Sequence, residues 1–336
     1  MPRQKRLELI RKIEEKQNSS VICYITSERR NITTQIAGDA VRPFYSHLEN
    51  IGERERIDFF LYSMGGHLMA PFRLVHLIRE YCKTLGILVP YCAHSGATMI
   101  CLGANEIIMG KMGELSPVDP TTANPFNPQD PTNPKKRIPI SVEDITSYIN
   151  LAKEKGDLKE RNQMLEVYRF LANKVHPVAR GNIYRVYNVI RLLGEELLSL
   201  HMNPKEEKEK IDHIVNYLIE RLFSHDFPIS RRMAEKELGL NIKKPDTELE
   251  SLMWSLYEIY EEDLKLREPF NPSALLGEKP KASFSHHTAY IESAKRTDTF
   301  LQEGTISKAQ PPPGAPPGVA GISVNFTFQG WKEVKD

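Results

Sequence analysis

The chain lacks any run of about 20 apolar residues, the length needed to cross a bilayer. Behind its charged N-terminus there is no apolar stretch of the signal-peptide kind. No G-x-G-x-x-G follows a strand-like run, so the dinucleotide-binding fingerprint is missing. Only four cysteines occur, Cys23, Cys82, Cys92 and Cys101, and no two form a C-x-x-C pair. That spacing argues against a zinc ribbon. Each lies in an apolar run, the pattern of buried free thiols in a reducing compartment, and the expected location is cytoplasmic. Neither sign of charge is in excess: Lys plus Arg is 45, Asp plus Glu is 44, and the net charge is +1. No general attraction to nucleic acid or to an anionic membrane follows from that balance. Arg3, Lys5, Arg6, Arg11 and Lys12 alternate with Glu8, Glu14 and Glu15, the pattern of a solvated helix face.

What the chain has is enough apolar material, 40% of 336 residues, for one large domain or two ordinary ones. Leu7, Leu9, Ile10 and Ile13 predict a short amphipathic helix, and Val21 to Ile25 a strand. Ala40 to Ile51 reads as a helix, Ile57 to Tyr62 as a strand, and Leu68 to Cys82 as a helix. The alternation is that of an α/β fold. Pro117 to Pro139, rich in Pro, Asn and Thr, excludes a regular helix or central strand and reads as a loop near the site or a surface linker. Val142 to Phe223 has helical periodicity, with Ser141 as an N-cap before Glu143 and Asp144. A further helix is expected over Thr247 to Leu266. Gln310 to Gly318 is a stiff polyproline-type linker, and Gly321 to Trp331 alternates as a strand. The expected organisation is an N-terminal helix (1–19), a core (20–141), a helical insertion (142–223), a late core motif with a C-terminal helix (224–282), and a proline-rich tail with a terminal strand (283–336).

Two turns carry the chemistry. The apolar run Ile87 to Tyr91 leads through Cys92-Ala93-His94-Ser95-Gly96 into the helix-like run Ala97 to Ala104. A serine at such a strand-to-helix turn points its hydroxyl outward, and the helix start behind it supplies backbone N–H groups and a positive dipole end. The run Ile57 to Tyr62 ends in Ser63-Met64-Gly65-Gly66, where paired glycines allow close backbone approach. A nucleophile at Ser95 and an oxyanion hole from Gly65, Gly66 and Gly96 are the two parts acyl transfer needs most. Serine is also a favoured helix N-cap, and paired glycines also make plain tight turns.

These residues resemble the Clp-protease/crotonase superfamily. Ser63-Met64-Gly65-Gly66 is similar to the oxyanion strand end of Clp proteases and signal peptide peptidase A, and His94-Ser95-Gly96-Ala97-Thr98 to their nucleophile turn. Asn105 to Met109 resembles the strand after the nucleophile helix, and Ala234 to Leu240 the late helix ending at a glycine-leucine pair. Ser116-Pro117-Val118-Asp119-Pro120 and His225-Asp226-Phe227-Pro228 narrow the likeness to the serine dehydrogenase-like proteinases. The resemblance spans Ser20 to Ile242. It implies a Clp/crotonase-type ββα superhelix with a helical insertion. It also implies an ATP-independent serine peptidase acting on peptide or protein substrates, assembled as a homo-oligomer, without cofactor or metal. Membrane-associated relatives have hydrophobic anchors that this chain lacks, which puts a membrane-protein substrate in doubt.

The general base stays open. Clp proteases place a histidine after the nucleophile strand; here Leu115 to Pro120 holds Asp119 and no histidine. Membrane-bound relatives use a lysine, and Lys136, next to Lys135, falls downstream of Ser95; Lys135, Lys136 and Arg137 equally read as a solvated basic patch. His225 with Asp226 is the rival. His94 and Asp119 are expected to line the site, His176 to end a helix, and the His286-His287 pair lacks ligands at useful spacing for a metal. The missing histidine also fits a scaffold or regulatory protein that keeps the fold without hydrolysis. A third reading is crotonase-like acyl-CoA chemistry using the same hole.

Overall fold

The structure is a computed structural model and describes residues 2–118, 121–122, 124–220, 227–309 and 321–335. Its centre is an eight-stranded sheet. Strands β1 (Ser20–Thr26), β2 (Arg54–Tyr62), β3 (Cys82–Val89) and β5 (Glu106–Met109) run parallel in the order β5-β3-β2-β1, with the short strand Ile242–Lys243 beyond β5. Between β3 and β5 come β4 (Cys92–Ala93) and, after β5, β6 (Glu114–Leu115). With Ile229–Ser230 they form a separate three-stranded sheet at the carboxyl ends of the parallel strands.

The central strands are continuous apolar runs because both faces are covered. Ile22, Tyr24, Phe59, Leu61, Ile87 and Val89 point to one side. There they meet α2 (Val41–Ile51), α3 (Met69–Arg79) and α4 (Gly96–Leu102). The helices Pro177–Ser199 and Lys208–Glu220 pack behind these, so the second half of the expected insertion joins the main core, while Val142, Leu171 and Val175 of its first half form a separate cluster with Ile183. Val21, Cys23, Phe60 and Leu88 point to the other side. They pack on Ile10 and Ile13 of α1 (Pro2–Gln17) and on Leu256 and Tyr260 of the helix Thr247–Asp263. All four cysteines are free, and Cys23, Cys92 and Cys101 are buried.

The segment from Pro117 to Ile140 forms no regular helix among its described residues. Thr121–Thr122 pairs with Ile140–Ser141, and Gln129–Asp130 with Asn133–Arg137. Phe126 stacks on His176, which caps the helix Pro177–Ser199 as expected of a helix-end residue. Ser141 makes the anticipated cap, reciprocated by the Asp144 carboxylate.

One expectation needs correcting. Residues 283–336 read as a tail, yet Lys281–Ser293 and Arg296–Ala309 form a long antiparallel hairpin, and Lys281–Ser293 pairs antiparallel with β1. Gly321–Glu333 adds the outermost strand of the same sheet. The tail is thus three strands of the core sheet; the linker Gln310 to Gly318 lies outside the described residues.

A buried polar network ties this hairpin to α1. Glu292 is fully buried and accepts from Arg6 Nε at 2.6 Å, Tyr260 Oη at 2.6 Å and Thr297 Oγ1 at 2.7 Å. Arg6 also reaches Asp263 at 2.7 Å. Removing one partner leaves a buried carboxylate uncompensated. Arg6→Ala is therefore expected to lower unfolding stability by about 3–5 kcal/mol in urea titration. A loss below about 1 kcal/mol, the range of an exposed ion pair, would contradict this assignment.

Candidate active site

The glycine turn and the serine turn meet at the carboxyl end of the sheet. Ser63 bridges Ala93 in parallel. Its N–H donates to Cys92 O at 3.0 Å, and the His94 N–H donates to Ser63 O at 2.9 Å. These bonds hold β4 beside the end of β2, so the residues that follow each strand face each other. A Cβ built on Gly65 would lie 2.8 Å from the Ser95 Cβ and 2.9 Å from the Gly96 nitrogen. One built on Gly66 would lie 2.1 Å from Ile36 O. Side chains are excluded at both positions because backbone occupies the space.

Ser95 adopts φ 49° and ψ −112°, outside the ordinary regions for a side-chain-bearing residue. Such a conformation costs about 1–3 kcal/mol and persists only when the surroundings enforce it. Here they do. Ser95 N–H donates to Ser116 Oγ at 2.8 Å. Thr98 Oγ1 donates to Ala93 O at 2.7 Å and accepts from the Ser116 N–H at 3.1 Å. Thr98 and Ser116 are buried. The sequence reading missed both as positioning groups, although each lies in a motif it had singled out.

The amides around Ser95 differ in what they hold. Gly65 N–H is engaged, donating at 3.0 Å to Ser63 Oγ, which also accepts from Thr26 Oγ1 at 2.6 Å. Among the described residues, Gly66 and Gly96 have no acceptor for their N–H groups. Of the three glycines expected to line an oxyanion hole, Gly65 therefore serves by close packing, and two amides are left to donate. The Ser95 hydroxyl likewise makes no hydrogen bond among the described residues.

The remaining sequence-derived residues divide. His94 is close to fully buried, and its Nε2 lies 3.1 Å from Glu114 Oε1. Cys92 Sγ donates to the same oxygen at 3.4 Å. Burial first, and then the Glu114 carboxylate, push the Cys92 thiol well above its ordinary range. Lys136, with Lys135, is exposed on the strand Asn133–Arg137 and makes no bond to Ser95. Asp119, His225 and Asp226 lie outside the described residues. Ile229 pairs with Leu115, so the chain following His225-Asp226 reaches β6, next to the nucleophile strand. His286 packs against Phe270 and Phe284. Among the described residues, the one group with three metal-ligating side chains in mutual reach is Cys92, His94 and Glu114.

A family model described as "ClpP-like SDH-type serine proteinase" matches residues 2–177, a span that contains both turns and Ser116. The uncharacterized protein MJ0137 of Methanocaldococcus jannaschii is 27% identical over 272 residues, covering 78% of this chain and 80% of its own. A second uncharacterized protein of that organism, MJ1495, is 27% identical over 123 residues, covering 34% of this chain and 41% of its own. Among solved structures, a lysine-to-alanine mutant of the 1510-N membrane-bound stomatin-specific protease, in complex with a substrate peptide, is 15% identical with a TM-score of 0.37, covering 64% of this chain and 73% of that one.

Proposed function

The chain belongs to the ClpP-like SDH-type serine proteinase family and has the Clp/crotonase-type α/β fold, and we propose that it is a peptidase in which Ser95 Oγ attacks the carbonyl carbon of a peptide bond. The base takes the hydroxyl proton as the C–O bond forms. The carbonyl electrons move onto oxygen, and the Gly66 and Gly96 N–H groups stabilise that charge. A donor of this kind lowers the barrier by about 3 kcal/mol. The base then returns the proton to the leaving amine, and water hydrolyses the acyl-enzyme by the reverse roles. The observation that supports this reading most is the enforced Ser95 turn beside two amides without acceptors. Labelling by a serine-directed fluorophosphonate tests it: absence of any covalent adduct on Ser95 would favour the non-catalytic scaffold, and coenzyme A binding would favour the acyl-CoA reading.

Two bases compete, and pH separates them. A lysine accepts a proton only when neutral, so with Lys136 as base the labelling rate should keep climbing with pH well above 7. With His225 the rise should fall near pH 6 to 7, around the reference value of about 6.5. Labelling of Lys136→Ala and His225→Ala across pH is the check. Loss in the histidine variant alone removes Lys136; parent rates in both remove the pair.

The working form is a homo-oligomer that acts without ATP. Leu151, Leu165, Tyr168, Phe170, Tyr184 and Leu192 are large apolar side chains exposed on the helical segment after Ser141. Large apolar side chains left in water favour burial against another copy. Light scattering at micromolar concentration should give a mass above that of one chain, and Tyr184→Asp should lower it; a monomer in both would refute the assembly. The free cysteines support a cytoplasmic location. Among the described residues no helix is long and apolar enough to cross a membrane.

A further inference from the structure

Cys92 and His94 are two residues apart along one extended segment, so their side chains leave the same face. Glu114 pairs with Cys92 across the parallel β4–β6 ladder, which brings its carboxylate to that face as well. A thiol, an imidazole and a carboxylate result, with ligand atoms all within 4.8 Å of one another. Glu114 Oε1 is 3.4 Å from Cys92 Sγ and 3.1 Å from His94 Nε2. Tetrahedral zinc, with Zn–S of about 2.3 Å and Zn–N or Zn–O of about 2.0–2.1 Å, separates neighbouring ligand atoms by about 3.3–3.6 Å. Two edges of a tetrahedral face, from Glu114 Oε1 to Cys92 Sγ and to His94 Nε2, thus stand near the required length, and the third lies within 4.8 Å.

We propose that Cys92, His94 and Glu114 form a binding site for a divalent cation of the zinc class, with a fourth position left to water. The ligand set selects the metal. Sulfur and imidazole suit zinc and its neighbours, whereas magnesium and calcium require oxygen. The frame is rigid, because Ser63 clamps the Cys92–His94 backbone through the Ser63 N–H to Cys92 O and His94 N–H to Ser63 O bonds. Glu114 is the least buried of the three and marks the way in. Protons balance simply. The ion displaces the thiol proton, which leaves to solvent. The imidazole binds through Nε2 as the tautomer protonated at Nδ1, and the carboxylate binds ionised. Sequence spacing hides the site: Cys-x-His supplies two ligands, and the third comes from a strand that only the fold places beside them.

Cobalt(II) is the probe, added to the full chain after dialysis against a chelator. One equivalent should bind per chain, with a near-ultraviolet thiolate-to-cobalt charge-transfer band and visible bands of tetrahedral intensity, all removed by zinc. Cys92→Ser should lose the charge-transfer band, and Glu114→Gln should bind at least about tenfold more weakly. Ser95→Ala should bind one equivalent unchanged, so the result is independent of the peptidase reading. A parent chain without the band overturns the proposal. So does a band that survives in Cys92→Ser, which would point to Cys23, Cys82 or Cys101, or an unaltered affinity in Glu114→Gln. X-ray absorption of the zinc-loaded parent needs no variant: one sulfur among nitrogen and oxygen neighbours supports the site, and none refutes it.

Discussion

Ser95→Ala is expected to abolish fluorophosphonate labelling and to lower peptide hydrolysis by at least about 10³-fold, with the fold intact. The reason lies in what the hydroxyl does in the free protein. Its oxygen holds no hydrogen bond among the described residues, while the Ser95 N–H is anchored on Ser116 Oγ. Alanine keeps that anchor and the same Cβ. The substitution removes one oxygen with no partner to orphan, so stability should stay within about 0.5 kcal/mol of the parent. Far-ultraviolet dichroism and the melting temperature check the fold, and labelling with hydrolysis checks the chemistry. Parent-level hydrolysis by a clean preparation of the variant would remove Ser95 as nucleophile. Loss of activity accompanied by unfolding would instead make Ser95 a structural residue of the turn.

How much of this was legible depends on whether the signal is local. The central strands were readable because burial on both faces leaves apolar runs such as Phe59 to Tyr62 and Ile87 to Val89. The two turns were readable because the close approach at Gly65 and Gly66 leaves no room for a side chain, so the residue type itself marks the site. The hairpin of Lys281–Ser293 and Arg296–Ala309 was not: Ala294 and Lys295 make its turn, without the Asn or Gly that usually marks one. Its strands also carry Glu292 and Gln302, whose partners Arg6 and Thr33 come from distant segments and mask the alternation. Thr98 and Ser116 were unreadable as positioning groups for the same reason. Only the fold brings a helix hydroxyl and a loop hydroxyl to one backbone turn. Gly65 illustrates the limit within a motif that was read: its residue type marks the close approach, but that its N–H is taken by Ser63 Oγ is a fact of geometry.

That distinction sets the second large effect, Gly65→Ala. A methyl group there would meet the Ser95 Cβ at 2.8 Å and the His94 carbonyl and Gly96 nitrogen at 2.9 Å. None of these is the free end of a flexible side chain, so the strain falls on the backbone of the nucleophile turn. The residue also has φ +101°, which alanine rarely adopts. Strain and overpacking each cost about 1–3 kcal/mol, and the melting temperature should fall accordingly. The chemical effect should be larger than the thermal one. A displacement of about 1 Å at a reacting group lowers rate about 100-fold, and the shift here moves Ser95 relative to both free amides. Gly65→Ala should therefore label about 100-fold more slowly than the parent while still folding at low temperature. Gly96→Ala supplies the internal comparison. Its added carbon would come no nearer than 3.2 Å, at Gly66 N. It needs only a slight adjustment but presses on an amide proposed to hold the oxyanion. Its labelling should slow less than that of Gly65→Ala, with little loss of stability. Parent-rate labelling by Gly65→Ala would mean that the contact between the two turns is incidental. A large rate loss in Gly96→Ala with Gly65→Ala unaffected would place the sensitivity in the amide alone and leave the packing of the glycine turn without a catalytic part.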